Sequence, residues 1–351
     1  MKFILTTHTK IPENWDSNLL KNSSSTSYQI SSWGRIYQKS YNSIPLFLEI
    51  KNGGDIVAQL MVLIHKEYSW KNASFLADIV GKKLKMKNTL EWIYGPIIFD
   101  PTNQDEILQV LLNELDIIAE NNNVNVIRGT TPPRLGMSIE KNFKKFGYNN
   151  TPWATRIINL GNDEQVLYTQ LDKKTRYDIR KSEQNNIKFE VGSNFNAILD
   201  FNRIKNSKGK SKHADKLTKS RWENLYNTNN GKLFLAKIDD EPIGGISTLT
   251  FNKNLLQHGV ANTKTGLLGG TFLTWNLIKW GIKHNFQTLD LGGINPNPVN
   301  EKERKISFYK SKWGGENFEY GIFTKVFDNT KFKLATVLQN PSRIRNFLKS
   351  D

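Results

Sequence analysis

Alternating and continuous apolar runs predict two β-hairpins, one in each half of the chain. The first joins residues 46–50 and 56–64 through the turn Asn52-Gly53-Gly54-Asp55. The second joins 233–238 and 243–251 through a polar turn that contains a proline. Short apolar segments separated by Asn-Gly or Asp-rich turns are typical of antiparallel strands.

Helical spacing of apolar residues predicts amphipathic helices that alternate with these strands. The clearest begins near Asn103, has acids in its first turn, and ends at Asn121-Asn122-Asn123. Residues 270–285 show the same spacing in the second half. A period near 3.6 indicates a helix with one buried face, so the chain is predicted to have a mixed α/β fold.

Ordered fragments of the two halves resemble each other. The similar pairs are 46–66 with 233–253, 111–129 with 273–293, and 142–158 with 309–325. Because the order is kept in all three pairs, an internal duplication explains them better than convergent helix–strand patterning. We therefore expect two domains, 1–150 and 151–319, with a cleft between or along them.

Composition narrows the chemistry. The chain has 351 residues and no cysteine, which excludes a disulfide framework, a thiol nucleophile and a thiolate metal site. Its five histidines show no metal-ligand spacing, so no metal is expected. The sequence contains no long apolar span, and its N-terminal apolar run is too short for a signal peptide, which predicts a cytoplasmic protein.

The net charge of +16 indicates a polyanionic partner. Nucleic acid, a nucleotide-linked substrate and an anionic membrane surface all fit. A general bias towards lysine and asparagine explains the charge equally well, so charge alone does not separate these partners.

The stretch from Gln287 to Tyr320 is the strongest candidate for a functional site. A short strand breaks at Gly292-Gly293, and a polar loop leads to the basic, aromatic run 305–313, which Gly314-Gly315 ends. Lys310, beside Tyr309, is the cation that we expect to line a cleft. The alternative is that the aromatic residues are core and the lysines form a solvated face.

Several of these segments together resemble the FemABX peptidyltransferases. The resemblance lies in KKTRYDIRKSEQNNIKFEV (173–191), LFLAKIDDEPIGGISTLTF (233–251), GGTFLTWNLIKWGIKHNFQTLDLGGI (269–294) and FYKSKWGGE (308–316). In the first half, SYQISSWGRIYQK (27–39) and GPIIFD (95–100) also fit.

The resemblance implies two tandem GNAT-like acyltransferase domains, with residues 320–351 returning to the first. It also implies transfer of an amino acid from aminoacyl-tRNA to a cell-wall peptide precursor, as in peptidoglycan bridge formation. The implied protein is a monomer without a resident cofactor, at work in the cytoplasm or at the inner face of the membrane. Residues 192–231 lack sustained heptads, so no coiled-coil arm is expected.

The resemblance also implies roles for individual residues. Lys310 would stabilise negative charge that develops near the reacting carbonyl, and Asp100 would contact the acceptor amine. Substrate-binding positions carried over from the family are Trp33, Arg35, Tyr37, His258, Asn262 and Tyr309. Two of them depart from the family pattern: Tyr37 stands where a phosphate-binding lysine is expected, and His258 replaces an expected tyrosine.

Basic segments in the second half are predicted to hold the tRNA acceptor stem by its phosphates. The candidate residues are Arg176, Arg180, Lys212 and Arg221. Plainer interpretations also stand: a solvated helix face for Arg176 and Arg180, a helix cap for Asp100, and a satisfied strand histidine for His258.

Two other functions fit parts of the sequence. The first is an acyl-CoA-dependent N-acyltransferase that acts on an amino sugar or another amine of a surface polymer precursor. The glycines in 263–272 lie between a strand and a helix, but their spacing is not that of the usual pyrophosphate loop. The second is a non-catalytic nucleic-acid-binding protein, which the charge supports and the paired-domain pattern does not.

Overall fold

A computed structural model of the chain describes residues 3–65, 88–133, 135, 137–161, 163–205, 214–263 and 267–327. Contacts divide it into two compact units. Unit 1 is drawn from Met1–Ser24, Tyr28–Thr151 and Gly321–Asp351, and unit 2 from Ser25–Ser27 and Pro152–Tyr320. Compactness does not test whether each part folds alone, so the predicted domain boundaries remain a prediction.

Unit 1 contains a mixed sheet. Its strands are β1 (Phe3–His8), β2 (Ile44–Asn52), β3 (Asp55–His65), β4 (Thr89–Trp92), β5 (Ile97–Ile98), β6 (Val126–Thr130) and the second half of β13 (Glu316–Val326). The spatial order is β1-β2-β3-β4-β6-β13, with β5 on β3. All neighbours are antiparallel except β4 and β6, which are parallel.

The helices of unit 1 cover this sheet and complete its core. They are α1 (Trp15–Leu19), α2 (Ser31–Tyr41), α3 (Gln104–Asn121) and α4 (Glu140–Lys145), and a short 3-10 turn spans Pro101–Asn103. The apolar face of α3 is buried as its spacing predicts. Phe323 of β13 stacks on Phe143 of α4 with ring centroids 4.1 Å apart, so the last strand supplies part of this core.

Unit 2 has the strand order β7-β12-β11-β10-β9-β8. The strands are β7 (Asn149–Asn159), β8 (Lys188–Gly192), β9 (Gly231–Ile238), β10 (Glu241–Phe251), β11 (Asn254–Asn262) and β12 (Thr288–Ile294). Only β11 and β12 are parallel. The unit therefore repeats the plan of unit 1, a meander followed by one parallel pair, as a duplication requires.

Six helices lie in the described part of unit 2. They are α5 (Glu164–Gln170), α6 (Lys173–Glu183), α7 (Phe195–Lys205), α8 (Ala214–Asn224), α9 (Leu267–Lys283) and α10 (Glu301–Ser311), with a 3-10 turn at Tyr226–Thr228. In 192–231, α7 and α8 are eleven residues each, and the described residues show no long helical arm. The mixed α/β prediction and both predicted hairpins are confirmed.

Across the ranges given above, no helix is both long enough and apolar enough to cross a membrane.

Candidate active site

The parallel strands of unit 2 stay together for only a short distance. β11 and β12 pair from Asn254↔Thr288 to Leu256↔Asp290. On its other side β12 pairs with β7 along its whole length, with a register shift between Asp290 and Gly293. The carboxyl ends of β11 and β12 are therefore not hydrogen-bonded to each other. In open α/β sheets, ligands bind in the opening beside such separated strand ends.

A tight turn in β12 forms one wall of this opening. The buried carboxylate of Asp290 accepts hydrogen bonds from Thr155 Oγ1 and from the backbone nitrogen of Gly292, the latter at 2.7 Å. Gly292 has φ +81°, and a Cβ there would lie 3.2 Å from the carbonyl oxygen of Gln257. The turn needs glycine for its conformation and for the close approach of β11.

The ammonium group of Lys310 is held at this turn. Its Nζ donates to the carbonyl oxygens of Gly292 and Gly293, both at 2.9 Å. Burial lowers the pKa of Lys310 to about 8, an effect that the charge of Asp290 partly offsets. Lys310 is therefore a cation at pH 7 that can release its proton close to neutral pH.

Tyr309 anchors helix α10, which carries Lys310. Its hydroxyl donates to the carbonyl oxygen of Gly270 at 3.1 Å and lies 3.0 Å from Thr274 Oγ1, both on α9. Burial raises the pKa of Tyr309. The side-chain nitrogen Nδ2 of Asn262 lies close to Gly270, since it is 3.3 Å from the position that a Cβ on Gly270 would occupy. Two predicted residues, Tyr309 and Asn262, thus meet at the start of α9.

His258 lies at the register shift of β11, between the pairs Ser247↔Gly259 and Thr248↔Gln257. Burial, together with the positive charges of Arg221 and Lys205, lowers its pKa to about 3. The imidazole is therefore neutral at physiological pH and suits orientation rather than charge stabilisation.

Arg221 lies on the inner side of α8 near His258 and Tyr226. Its side chain is half-buried, and its Nε has no hydrogen-bond partner. The remaining tRNA candidates differ. Arg176 donates to the carbonyl oxygens of Thr169 and Leu171 and so closes the end of α5, whereas Arg180 is exposed on α6. Lys212 lies outside the described residues.

The candidates of unit 1 lie on α2 and after β5. Asp100 caps the 3-10 turn: it accepts from the backbone of Thr102 at 3.1 Å and from the side chain of Asn103 at 2.7 Å. Trp33 is buried, Tyr37 is half-buried against it with ring centroids 5.3 Å apart, and Arg35 is exposed. The capping contacts match the plainer interpretation of Asp100 and leave its catalytic role a prediction.

The sequence reasoning missed two sets of polar residues. Asp290 falls within a predicted strand, and an acid between Leu289 and Leu291 in an apolar run is itself a signal of a buried polar contact. His65 ends an apolar run in the same way, and it contacts Ser43 and Glu91 in unit 1. Among the described residues no cluster of three or more acids and histidines could hold a metal ion.

Known proteins match this chain in structure and not in overall sequence. No protein-family model and no curated protein matches the sequence. The structure matches FemX with a TM-score of 0.71 at 12% identity, covering 95% of this chain and 100% of that one. It also matches a tandem GNAT protein from the clavulanic acid biosynthesis pathway, with a TM-score of 0.58 at 11% identity over 93% and 98% of the two chains.

A third match is L-PGS from Bacillus licheniformis, with a TM-score of 0.56 at 12% identity, covering 94% of this chain and 98% of that one. Identities this low establish the fold and nothing finer. The resemblance seen in the sequence is confirmed at this level: the chain has the fold of FemX and of the tandem GNAT protein.

Proposed function

We propose that this protein is an aminoacyltransferase that moves an amino acid from aminoacyl-tRNA to an amine of a cell-wall peptide precursor. The observation that carries the proposal is the Lys310 ammonium, fixed at the end of the parallel pair by two backbone carbonyls. A partly desolvated cation at this edge of the sheet stabilises negative charge more strongly than an exposed one.

The reaction needs little covalent chemistry from the protein. The unprotonated acceptor amine attacks the ester carbonyl carbon, a C–N bond forms, and the C–O bond to the tRNA ribose breaks. The amine loses one proton and the ribose oxygen gains one. Lys310 stabilises the oxyanion, and its pKa of about 8 also suits it to deliver a proton to the leaving oxygen. Since the ester is already activated, no protein nucleophile is needed.

Positioning falls first to other residues of unit 2. Tyr309 holds α10 through its bonds to α9, and the neutral His258 with Asn262 offers hydrogen-bonding groups without adding charge. Asp100 remains the proposed contact of the acceptor amine. Arg180, exposed on the basic helix α6, is the best placed of the described arginines for tRNA phosphate, because Arg176 is already bonded to backbone.

The fold supports an acyl transfer and leaves the donor to be tested. FemX and L-PGS share the whole-chain fold, which favours the tRNA donor. The tandem GNAT match, whose description refers to a form without acetyl-CoA, keeps the acyl-CoA donor as the second candidate.

In the deciding experiment, the purified protein is incubated with amine-bearing precursor peptides and with one of two donors, charged tRNA or acetyl-CoA. We expect consumption of the aminoacyl ester and formation of an amide. Lys310→Met should reduce turnover by about a hundredfold or more while the fold is kept. Lys305→Met on the same helix removes an exposed lysine paired with Glu301 and serves as the matched control. Unchanged turnover in Lys310→Met would remove Lys310 from the mechanism, and consumption of acetyl-CoA alone would favour the second candidate.

A further inference from the structure

A chain of hydrogen bonds crosses unit 1 at the ends of β3 and β4. Ser43 Oγ lies 2.7 Å from His65 Nδ1, and His65 Nε2 lies 2.9 Å from Glu91 Oε1. Ser43 and His65 are 2% and 3% exposed, which denies a substrate access to the serine and argues against a nucleophilic triad. The imidazole of His65, held between Ser43 and the Glu91 carboxylate, fixes the direction of that carboxylate.

The other side of Glu91 faces aromatic rings. Glu91 lines a small cavity together with Tyr28, Trp33, Tyr37 and Trp92. The Tyr28 and Trp33 rings meet edge to face at 4.8 Å, and Tyr37 lies next to Trp33. We call Glu91 and the rings of Tyr28, Trp33 and Tyr37 the aromatic cage. The indole of Trp92, the next residue on β4, points to the opposite face, into the core of unit 1.

The size of the cavity limits its occupant. Its volume is about 10 Å³, enough for one group the size of a water molecule. A primary ammonium head fits such a space, whereas a trimethylammonium group is too large. The side chain of Glu91 is 28% exposed, so its carboxylate lies near the surface and a ligand can reach it.

The charges of the cage favour a cation. The faces of Trp and Tyr rings attract cations, and the carboxylate adds a negative charge whose orientation His65 maintains. The described residues place no lysine or arginine in the lining. At this place on α2, where the family resemblance leads one to expect a phosphate-binding lysine, the chain has Tyr37, which removes a charge that would repel an ammonium.

We propose that the aromatic cage binds a primary ammonium group of the acceptor. An amine held as a cation cannot attack a carbonyl, so the bound group is a second amine, distinct from the one that reacts. The acceptor is therefore a molecule with at least two amino groups. The identification of the bound molecule as the acceptor rests on the proposed function. The preference of the cage for an ammonium ion does not depend on that function.

The test measures binding of simple probes to the full chain by titration calorimetry and tryptophan fluorescence. We expect propylammonium to bind, while propanol and tetramethylammonium do not. Glu91→Gln should weaken propylammonium at least tenfold, and Tyr37→Leu about three-fold. Tyr37→Phe keeps the ring and should bind like the parent protein. Glu120→Gln, at an exposed acid of α3, is the control for a general loss of negative charge.

Several outcomes would overturn the proposal: no binding of propylammonium, equal binding of propanol, or unchanged affinity in Glu91→Gln with native circular dichroism. The two proposals fail separately. Selective ammonium binding without any transfer would support the cage and contradict the proposed function. Transfer that is unaffected by acetylating the second amine of the acceptor would support the function and contradict the binding of the acceptor by the cage.

Discussion

The two units build the same parallel strand pair and use its end differently. In unit 1, β4 and β6 pair over four positions, ending at Trp92↔Gly129. The Trp92 ring lies so close to Gly129 that a Cβ there would stand 1.9 Å from it, and its Nε1 donates to the carbonyl oxygen of Gly95 at 3.0 Å. An indole therefore fills the position that is left open in unit 2.

In unit 2 the pairing ends one position earlier, and the turn at Gly292 directs two carbonyl oxygens to Lys310. In unit 1 an indole thus packs at the end of the parallel pair, whereas in unit 2 the same end carries polar groups and a cation. The comparison explains how a duplicated chain can place stability and chemistry at equivalent points of its two copies.

Removing the indole tests the packing half of the comparison and should have the largest effect on stability. Trp92 is 3% exposed within the core of unit 1, so Trp92→Ala should lower the free energy of unfolding by about 3–5 kcal/mol. Urea titration measures this. Ile117→Ala, at a residue 50% exposed on α3, should change it by about 0.5 kcal/mol or less. Similar losses in the two variants would mean that Trp92 is not a packing element.

Adding a methyl group to one glycine of each unit, near the end of its parallel pair, separates the two units. Gly129→Ala should lower the free energy of unfolding by about 1–3 kcal/mol, because the new methyl group overlaps Trp92. The protein that remains folded should transfer at the parent rate. Gly292→Ala should lower the free energy of unfolding by about 1–2 kcal/mol, because the residue has a positive φ. It should also reduce turnover, because it displaces the carbonyl groups that hold Lys310. Turnover lost in Gly129→Ala and kept in Gly292→Ala would reverse the assignment.

The pH dependence of Lys310 is the third test. Its pKa is about 8 in the fold and about 10.4 in an unfolded chain, so the unfolded state binds more protons between these values. Between about pH 8 and about pH 10.4 the free energy of unfolding should therefore rise with pH more steeply than it does in Lys310→Met. Below about pH 8 the lysine is charged in both states, so the full penalty for burying the cation applies.

Activity should follow the opposite trend. Because the protonated form carries the proposed chemistry, turnover should fall above pH 8. Asp290→Asn removes the charge that raises the pKa of Lys310 but keeps an acceptor for Gly292, so the alkaline limb should move to lower pH. An alkaline limb at the same pH in both proteins would argue against Lys310 as its source.

The smallest expected effect concerns tRNA. Arg180→Ala should weaken tRNA binding by about 1 kcal/mol or less and reduce the slope of log K against log salt by about one unit, because one exposed phosphate contact is lost. Arg128→Ala, at an exposed arginine of unit 1 outside every candidate site, should leave the slope unchanged. A flat salt response of the parent protein would contradict phosphate contacts altogether.

Much of the fold could be predicted because its signals are local. Apolar periodicity and turn residues determine where β2, β3, β9 and β10 begin and end, and the break between α5 and α6 falls at the cap residue Asp172. The repeat predicted two similar units because it preserves the order of such local signals.

The site was less predictable because its contacts are distant in sequence. Lys310 and Tyr309 could be singled out as a cation beside an aromatic ring, but nothing local indicates that Tyr309 bonds to Gly270, 39 positions away. Glu91 meets His65 only because the register of β3 with β4 brings them together. Charge density suggested Arg176 as a free cation, and only the fold shows its bonds to the carbonyls at the end of α5.

The position of β13 in the chain has a consequence for biogenesis. During synthesis the strands β1 to β6 emerge long before Gly321–Val326, the segment that pairs with β6 and brings Phe323 into the core of unit 1. Until those residues leave the ribosome, β6 has an unsatisfied edge and Phe143 lacks its stacking partner. The first-made half of this protein is thus completed last, and a nascent chain stalled before residue 321 exposes a strand edge prone to aggregation.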